Sequence, residues 1–216
     1  MEIKKELVYI GKKLADKGFV VGPGGNTSFR LGNVVYMKVS GACFEDTLES
    51  DYIAVDIKTG KNIKDNRKPT CEIQMHLGCY LVRKDISAVI HTHPPYSIAY
   101  AMQGKTLKAF TPDFVGIISS NVPTIKFAVP SSKDIANKIS NVIKNHNAVL
   151  MANHGLLAVG SNLKEAYYRT LYVESACKTA AIAKILGKMN FFTDKIYKQM
   201  DTLEAEVYRR KIIKNK

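Results

Sequence analysis

The sequence predicts one α/β domain spanning residues 1–216. A chain of this length, with 46% hydrophobic and 24% charged residues, is long and apolar enough to bury one sizeable core. Short apolar runs typical of strands alternate with longer amphipathic segments typical of helices. Because some of these strands are separated by turns and others by helices, the pattern argues against a strictly parallel, doubly wound sheet.

Apolar residues spaced three and four apart predict the helices. The first ends at Gly18, the second has Thr70 as its N-cap, and the longest begins with Asn162 and Glu165 in a capping-box-like pair and ends at Gly187. The predicted helices are residues 3–17, 72–83 and 96–102, a segment that begins within 131–134 and continues to 143, residues 162–186, and a basic helix from residue 201.

Short apolar runs predict the strands, and turn residues separate them. The predicted strands are residues 34–39 and 53–57, a run that begins at residue 88, and residues 124–129, 148–151 and 156–159. Residues 22–28 are predicted to form a loop, since they contain too much glycine and proline for either regular structure.

Composition narrows the class of protein. The net charge is +13, but the lysines are scattered along the whole chain without a basic-region helix or an RNA-binding aromatic motif, so we expect no nucleic-acid partner. An anionic small substrate is compatible with this charge. No apolar run approaches the roughly 18–20 residues of a membrane span, which favours a cytoplasmic protein with no membrane partner. The four cysteines form no C-x-x-C motif and are expected to be reduced thiols.

Two histidines mark the end of the strand that begins at residue 88. His91 and His93 are two residues apart, so their side chains point to the same face of a strand, and Pro94 then ends the hydrogen-bond ladder. A third histidine, His154, lies in the turn between the last two predicted strands. These three imidazoles could hold a metal ion, although an ordinary pair of sheet histidines remains an alternative.

Glu72 is a candidate fourth ligand. It lies in the first turn of a predicted helix, where an acidic residue also commonly offsets the helix dipole. Beside three histidines, a carboxylate completes the ligand set of a tetrahedral zinc site. A carboxylate that substrate can displace from the metal is also free to act as a base.

Three segments have the composition of an anion-binding site. Residues 24–28 read Gly-Gly-Asn-Thr-Ser, in which glycine lets backbone N–H groups approach an oxyanion and the polar side chains add donors. Ser40-Gly41 and the helix start at Thr70-Cys71 are similar, and a helix N-terminus favours phosphate. Each segment taken alone is equally compatible with an ordinary connection.

Taken together, these residues resemble the class II aldolase/adducin family. Five motifs occur in the family's order between residues 22 and 160, and as a set they are specific. They are Gly25-Asn26-Thr27-Ser28, Ser40-Gly41, the Pro-x-x-Glu-x-x-x-His segment from Pro69 to His76, His91-Thr92-His93-Pro94, and Asn153-His154-Gly155.

The resemblance implies a three-layer α/β/α fold with a mainly antiparallel sheet, assembled as a homotetramer with its sites near subunit interfaces. It also implies one Zn²⁺ per subunit, with His91, His93, His154 and Glu72 as ligands and Glu72 as the catalytic acid/base. The residues that would hold the substrate phosphate are Gly25, Asn26, Ser40, Gly41, Thr70 and Cys71.

The implied activity is cleavage of L-fuculose 1-phosphate, or a related ketose 1-phosphate, to dihydroxyacetone phosphate and L-lactaldehyde through a metal-stabilised enediolate. Alternatives on the same scaffold are L-ribulose-5-phosphate 4-epimerase and methylthioribulose-1-phosphate dehydratase. A non-catalytic, adducin-like interaction module is a further alternative, but that branch lacks the metal histidines that this chain keeps.

The chain departs from the family pattern at two places. Thr70-Cys71 stands where relatives often have two serines, and a thiol is a weak donor to phosphate. The tyrosine that such aldolases use as a second proton donor is absent from residues 110–114. Asp113, Tyr197 and Tyr208 are the candidates for that role.

Overall fold

The computed structural model describes residues 2–214. The helices are α1 Glu2–Asp16, α2 Ile73–Val82, α3 Pro95–Ala101, α4 Pro112–Ile118, α5 Lys133–Ile143, α6 Leu163–Leu186, α7 Asp194–Asp201 and α8 Glu204–Lys214. The strands are β1 Asn26–Leu31, β2 Val34–Lys38, β3 Tyr52–Asp56, β4 Ala88–Thr92, β5 Thr124–Ile125, β6 Ala148–Met151 and β7 Gly155–Gly160.

The described strands form one mixed sheet in the order β3-β2-β1-β4-β7-β6-β5. Strand β5 pairs with β6 in parallel, and the other pairings within residues 2–214 are antiparallel. The two hairpins, β1–β2 and β6–β7, have short turns, whereas β4 reaches the centre of the sheet only after α2. The sheet is therefore not doubly wound, as the mixture of turns and helices predicted.

Helices cover both faces of the sheet, which gives the three layers expected of the α/β/α fold. Helices α2 and α5 pack on one face, where side chains such as Val89 and Leu157 meet them in the core. Helices α1, α3, α4 and α6 cover the other face, to which alternate residues such as Ile90 and Leu156 point. This alternation decides that His91, like Val89, faces the α2 side of β4.

Several predicted elements are confirmed and several differ. Asn162 caps α6, since its side-chain oxygen accepts a hydrogen bond from the Glu165 backbone N–H at 2.7 Å. The Glu165 carboxylate in turn accepts a hydrogen bond from the Ser161 backbone N–H at 2.6 Å. The predicted N-cap at Thr70 is wrong, because α2 begins at Ile73 and Glu72 holds the cap position. The Thr70 hydroxyl instead accepts from the Glu72 N–H within the preceding turn, at 3.3 Å.

The loop predicted for residues 22–28 ends earlier than expected. β1 begins at Asn26, because its polar side chains are paired inside the sheet rather than exposed on a turn. The strand predicted for 124–129 is only two residues long, and α4 was not predicted, since its short apolar stretch gave no clear helical period. No helix in residues 2–214 has both the length and the hydropathy to cross a bilayer.

Candidate metal centre and anion-binding cavity

Four elements converge at one end of the sheet. β1 begins there, β4 ends there, β7 begins there, and the first turn of α2 lies against them. The register places Asn26 of β1 and Leu157 of β7 on either side of His91. Side chains that lie far apart in sequence therefore meet around His91.

The three predicted histidines lie together. Their ligand nitrogen atoms fall within 4.8 Å of one another, and Nε2 of His91 is 3.0 Å from Nε2 of His93. The turn that carries His154 between β6 and β7 brings its ring centroid to 4.8 Å from that of His91. The strand-period prediction that His91 and His93 converge agrees with this geometry.

Glu72 completes the cluster. Its Oε2 lies 3.2 Å from His91 Nε2, and its Oε1 lies 3.3 Å from His154 Nε2. Ligand atoms bound at about 2 Å to one tetrahedral ion lie about 3.3 Å apart, so these separations fit a common metal ion. The carboxylate is buried, with only 5% of the residue exposed.

The hydrogen-bonding state of the cluster also fits a metal. Nδ1 of His91 lies 3.0 Å from the Leu156 carbonyl oxygen, which can only accept, so Nδ1 carries the proton and Nε2 offers its lone pair. Glu72 Oε1 is buried with no hydrogen-bond partner among the described residues. A buried carboxylate oxygen without a donor is expected to have a cation beside it.

The electrostatics keep the carboxylate charged and two of the imidazoles neutral. Burial raises the pKa of Glu72, but the neighbouring His91 and the hydrogen bond from Asn26 outweigh it and hold that pKa well below its usual range. Burial, and after it the neighbouring His91, lowers the pKa of His93 to about 3 and that of His154 to about 4. Neutral imidazoles and an ionised carboxylate are the forms that bind a divalent cation.

Two features hold the histidine segments in place. A Cβ at Gly155 would lie 2.4 Å from the Thr92 carbonyl oxygen and 2.9 Å from His93 Cδ2, so only glycine allows the Asn-His-Gly turn to approach β4 this closely. Beyond His93, the first N–H groups of α3, from Tyr96 and Ser97, donate to the buried Glu174 carboxylate of α6 at 3.0 and 2.7 Å. Sequence reasoning did not identify Glu174, which lies far from any motif.

The predicted phosphate-binding residues line one cavity of about 290 Å³ beside the cluster. The lining includes all six of them, namely Gly25, Asn26, Ser40, Gly41, Thr70 and Cys71, together with Glu72, His93 and His154. The structure therefore brings the two groups of predicted residues to the same place.

Lys38 is a residue of this cavity that the sequence analysis did not identify. It is the last residue of β2 and is only 2% exposed, with Nζ donating to the carbonyl oxygens of Pro23, at 3.2 Å, and Ala42. No carboxylate of residues 2–214 forms an ion pair with it. Burial lowers its pKa. The available signal was a lysine within a predicted buried strand, two residues before Ser40-Gly41.

Other predicted residues lie differently from expectation. The Asn26 side chain does not point freely into the cavity, because Nδ2 donates to Glu72 Oε2 at 2.9 Å and Oδ1 lies 2.5 Å from His76 Nε2. Asp113 forms an ion pair with Arg209, and Tyr197 lines a separate cavity. Within the described chain, neither of these candidates for the second proton donor, nor Tyr208, lines the cavity beside the histidines.

Comparisons with known proteins give a family match and a structural match. Residues 5–181 match the family described as Class II Aldolase and Adducin N-terminal domain. A solved structure of an L-fuculose 1-phosphate aldolase superimposes with a TM-score of 0.88 at 31% identity, covering 93% of this chain and 95% of that one.

Curated relatives carry more than one activity in their names. The L-fuculose phosphate aldolase of Methanococcus vannielii is 34% identical over 85% of this chain and 98% of its own length. The 5-deoxy-D-ribulose 1-phosphate aldolase of Bacillus thuringiensis is 32% identical over 86% of this chain and 87% of its own. The 3-oxo-tetronate 4-phosphate decarboxylase of Escherichia coli is 29% identical over 86% of this chain and 87% of its own length.

Proposed function

The chain belongs to the class II aldolase and adducin family, and on that premise we propose that it is a zinc-dependent aldolase acting on a ketose 1-phosphate. The proposed reaction is reversible cleavage of L-fuculose 1-phosphate, or a close relative, to dihydroxyacetone phosphate and L-lactaldehyde. One observation carries the proposal. The ligand atoms of three histidines and of an ionised, buried glutamate lie close together, beside a cavity that is also lined by a buried lysine.

His91, His93, His154 and Glu72 would hold the divalent cation. When bound, such a cation supplies the fixed positive charge that a developing enediolate requires in a site shielded from water. The Leu156 carbonyl keeps the His91 ring in the tautomer that presents Nε2 to the cation.

Glu72 is the proposed acid/base. Its Oε2 accepts a hydrogen bond from Asn26, whereas Oε1 has no donor within residues 2–214. Once substrate displaced the carboxylate from the cation, Oε1 would be the oxygen available to take and return a proton at the substrate carbon. Because its pKa lies below the usual range, the group is ionised at neutral pH and begins the dihydroxyacetone phosphate half-reaction as a base.

The substrate phosphate is proposed to lie at the other end of the cavity. Backbone N–H groups of the Gly25 and Gly41 loops and the Thr70 hydroxyl are the proposed donors, and the Lys38 ammonium supplies the charge. Because the Thr70 oxygen already accepts from the Glu72 N–H, its hydrogen remains free to donate.

A substrate panel tests the reaction. Purified protein loaded with Zn²⁺ is expected to release dihydroxyacetone phosphate from L-fuculose 1-phosphate and from 5-deoxy-D-ribulose 1-phosphate. The released dihydroxyacetone phosphate is detected by its enzyme-coupled reduction. Interconversion of L-ribulose 5-phosphate with its epimer, without cleavage, would instead favour the epimerase. Release of carbon dioxide from 3-oxo-tetronate 4-phosphate alone would favour the decarboxylase, and absence of bound divalent metal would favour the non-catalytic module.

The Glu72→Gln variant tests the acid/base. We expect the rate of proton exchange at the hydroxymethyl carbon of dihydroxyacetone phosphate to fall by about 100-fold or more, because the amide cannot accept the proton. Glu165→Gln is the matched control, since Glu165 is also a buried carboxylate but pairs with Arg169 away from the cavity. Exchange at the wild-type rate in Glu72→Gln would contradict the assignment.

Four further properties stay predictions. Residues 1–216 are proposed to form one domain of this family, assembled as a homotetramer in the cytoplasm. Since Asp113, Tyr197 and Tyr208 lie away from the cavity of their own chain, the second proton donor is proposed to come from a neighbouring subunit. Sedimentation of the purified protein measures the assembly directly.

A further inference from the structure

A chain of buried hydrogen bonds runs from Glu72 into the sheet. After the contact of Asn26 Nδ2 with Glu72 Oε2 at 2.9 Å, Asn26 Oδ1 lies 2.5 Å from His76 Nε2. His76 Nδ1 lies 2.7 Å from Ser28 Oγ, which lies 2.8 Å from the Tyr80 hydroxyl. His76, Ser28 and Tyr80 are fully buried, and Asn26 is 4% exposed.

Each donor and acceptor in this chain is set by its neighbour. An ionised Glu72 carboxylate can only accept, so the Asn26 amide must turn its NH₂ group toward it and its oxygen toward His76. His76 must therefore carry its proton on Nε2, and its Nδ1 accepts from Ser28 Oγ–H. Tyr80 can then donate to Ser28 Oγ or to the Ser28 carbonyl oxygen, which lies 3.0 Å away.

His76 serves none of the roles assigned so far. It occupies the last position of the Pro-x-x-Glu-x-x-x-His motif, one helical turn after Glu72, but it neither lines the cavity nor belongs to the histidine cluster. Burial lowers its pKa to about 3, so the ring is neutral. A neutral imidazole with one donor and one acceptor matches an amide on one side and a hydroxyl on the other.

We propose that His76 is a positioning residue for Glu72, acting through Asn26. The His76 N–H fixes the orientation of the Asn26 amide, and the amide in turn holds Glu72 Oε2, so that Oε1 is directed toward His154. The proposal rests on the metal centre of the proposed function. It assigns Asn26 a role at the carboxylate rather than only at the substrate phosphate.

Loss of the His76 donor has a specific consequence. Without it, the buried Asn26 amide oxygen has no donor among the described residues, and the Glu72 carboxylate alone orients the amide. The amide that holds Glu72 Oε2 would then be less firmly positioned, and the orientation of the carboxylate relative to the three imidazoles would vary.

Cobalt binding to the full chain tests the proposal without substrate. His76→Phe keeps the ring volume but removes both nitrogen atoms, and we expect its dissociation constant for Co²⁺ to rise by about 10- to 100-fold with an altered visible absorption spectrum. His76→Gln places an amide N–H near the position of Nε2 and an acceptor toward Ser28. We expect it to restore most of the affinity.

Tyr52→Phe is the matched control. The Tyr52 hydroxyl is also buried and also bonds a residue of β1, Thr27 at 2.9 Å, but on the opposite face of the sheet. Its removal is expected to lower stability while leaving the Co²⁺ affinity and spectrum unchanged. A His76→Phe protein that is folded and binds Co²⁺ as the wild type does would overturn the proposal.

The outcomes separate this proposal from the proposed function. Failure of the wild-type protein to bind Co²⁺ would remove the metal centre itself, whereas normal wild-type binding with an unaffected His76→Phe would remove only the role of His76. If His76→Phe does not fold, Ser28→Ala carries the test, since it removes the hydroxyl that favours the Nε2–H tautomer. Ser28→Ala is expected to weaken Co²⁺ binding in the same direction, and unchanged binding would then refute the proposal.

Discussion

The two ends of the cavity are built from different parts of the chain. At the metal end, side chains form the site: His91 and Glu72 are buried and tied to neighbours by hydrogen bonds. At the phosphate end, loops form the site, and Gly25 and Gly41 there adopt positive φ angles of 65° and 85°. Lys38 is the buried charged side chain at that end.

This difference decides what each end tolerates. Loss of a side chain at the metal end removes a ligand or leaves a buried partner unsatisfied. At the phosphate end, backbone N–H groups persist whatever the side chain, so most side-chain changes there are expected to be mild. Substitutions that move the backbone, or remove Lys38, are the exceptions.

Gly25→Ala is expected to have the largest effect, because Gly25 lines the phosphate end of the cavity and also packs against the His91 backbone at the metal end. Its Cβ would lie 2.6 Å from Val20 Cγ1 and 2.9 Å from the His91 carbonyl oxygen, at a φ of +65°. We expect the free energy of unfolding to fall by about 2–5 kcal/mol. We also expect kcat/KM to fall by about 100-fold, because the shift displaces His91.

Gly32→Ala is the control for backbone strain alone. Gly32 has a similar φ of +60°, lies outside the cavity and has no atom within 4 Å of an added Cβ. It should lose about 1–2 kcal/mol of stability and no activity. Activity is measured by steady-state kinetics and stability by chemical denaturation. Equal effects of the two substitutions on activity would refute the role of Gly25 in connecting the phosphate end to the metal end.

Lys38→Met is expected to have the next largest effect. A charge-assisted hydrogen bond contributes about 1.5–3 kcal/mol, so the KM for a phosphorylated ketose should rise by about 10- to 100-fold with little change in kcat. Cleavage of the same ketose without its phosphate should be unaffected. A similar loss with both substrates would show that Lys38 supports the loops through Pro23 and Ala42 rather than the phosphate.

The same difference explains what the sequence could predict. The aldolase-type lyase, the family and the α/β/α fold are confirmed, because five local motifs occur in one order and are specific as a set, although each motif taken alone has ordinary alternatives. Lys38, His76 and Glu174 were not assigned a role, since the neighbours of each are brought together only by the register of β1, β2 and β4 or by the packing of α6. The early start of β1 was missed for a related reason: Asn26 and Ser28 are polar, and only their buried partners make a strand possible there.

Cys71→Ser is expected to have the smallest effect, and it examines the phosphate end most directly. Cys71 is exposed, and its thiol is a weak donor, so the contribution of this position is expected to come from its backbone N–H at the start of the α2 turn. A hydroxyl adds at most one ordinary hydrogen bond, about 1 kcal/mol, so the KM for the phosphorylated ketose should fall by no more than about fivefold. Thr70→Val is the comparison, since it removes a hydroxyl at the neighbouring position and should raise the same KM by a similar factor. A loss of activity in Cys71→Ser as large as that in Lys38→Met would show that the phosphate end, like the metal end, depends on specific side chains, and the contrast between the two ends would fail.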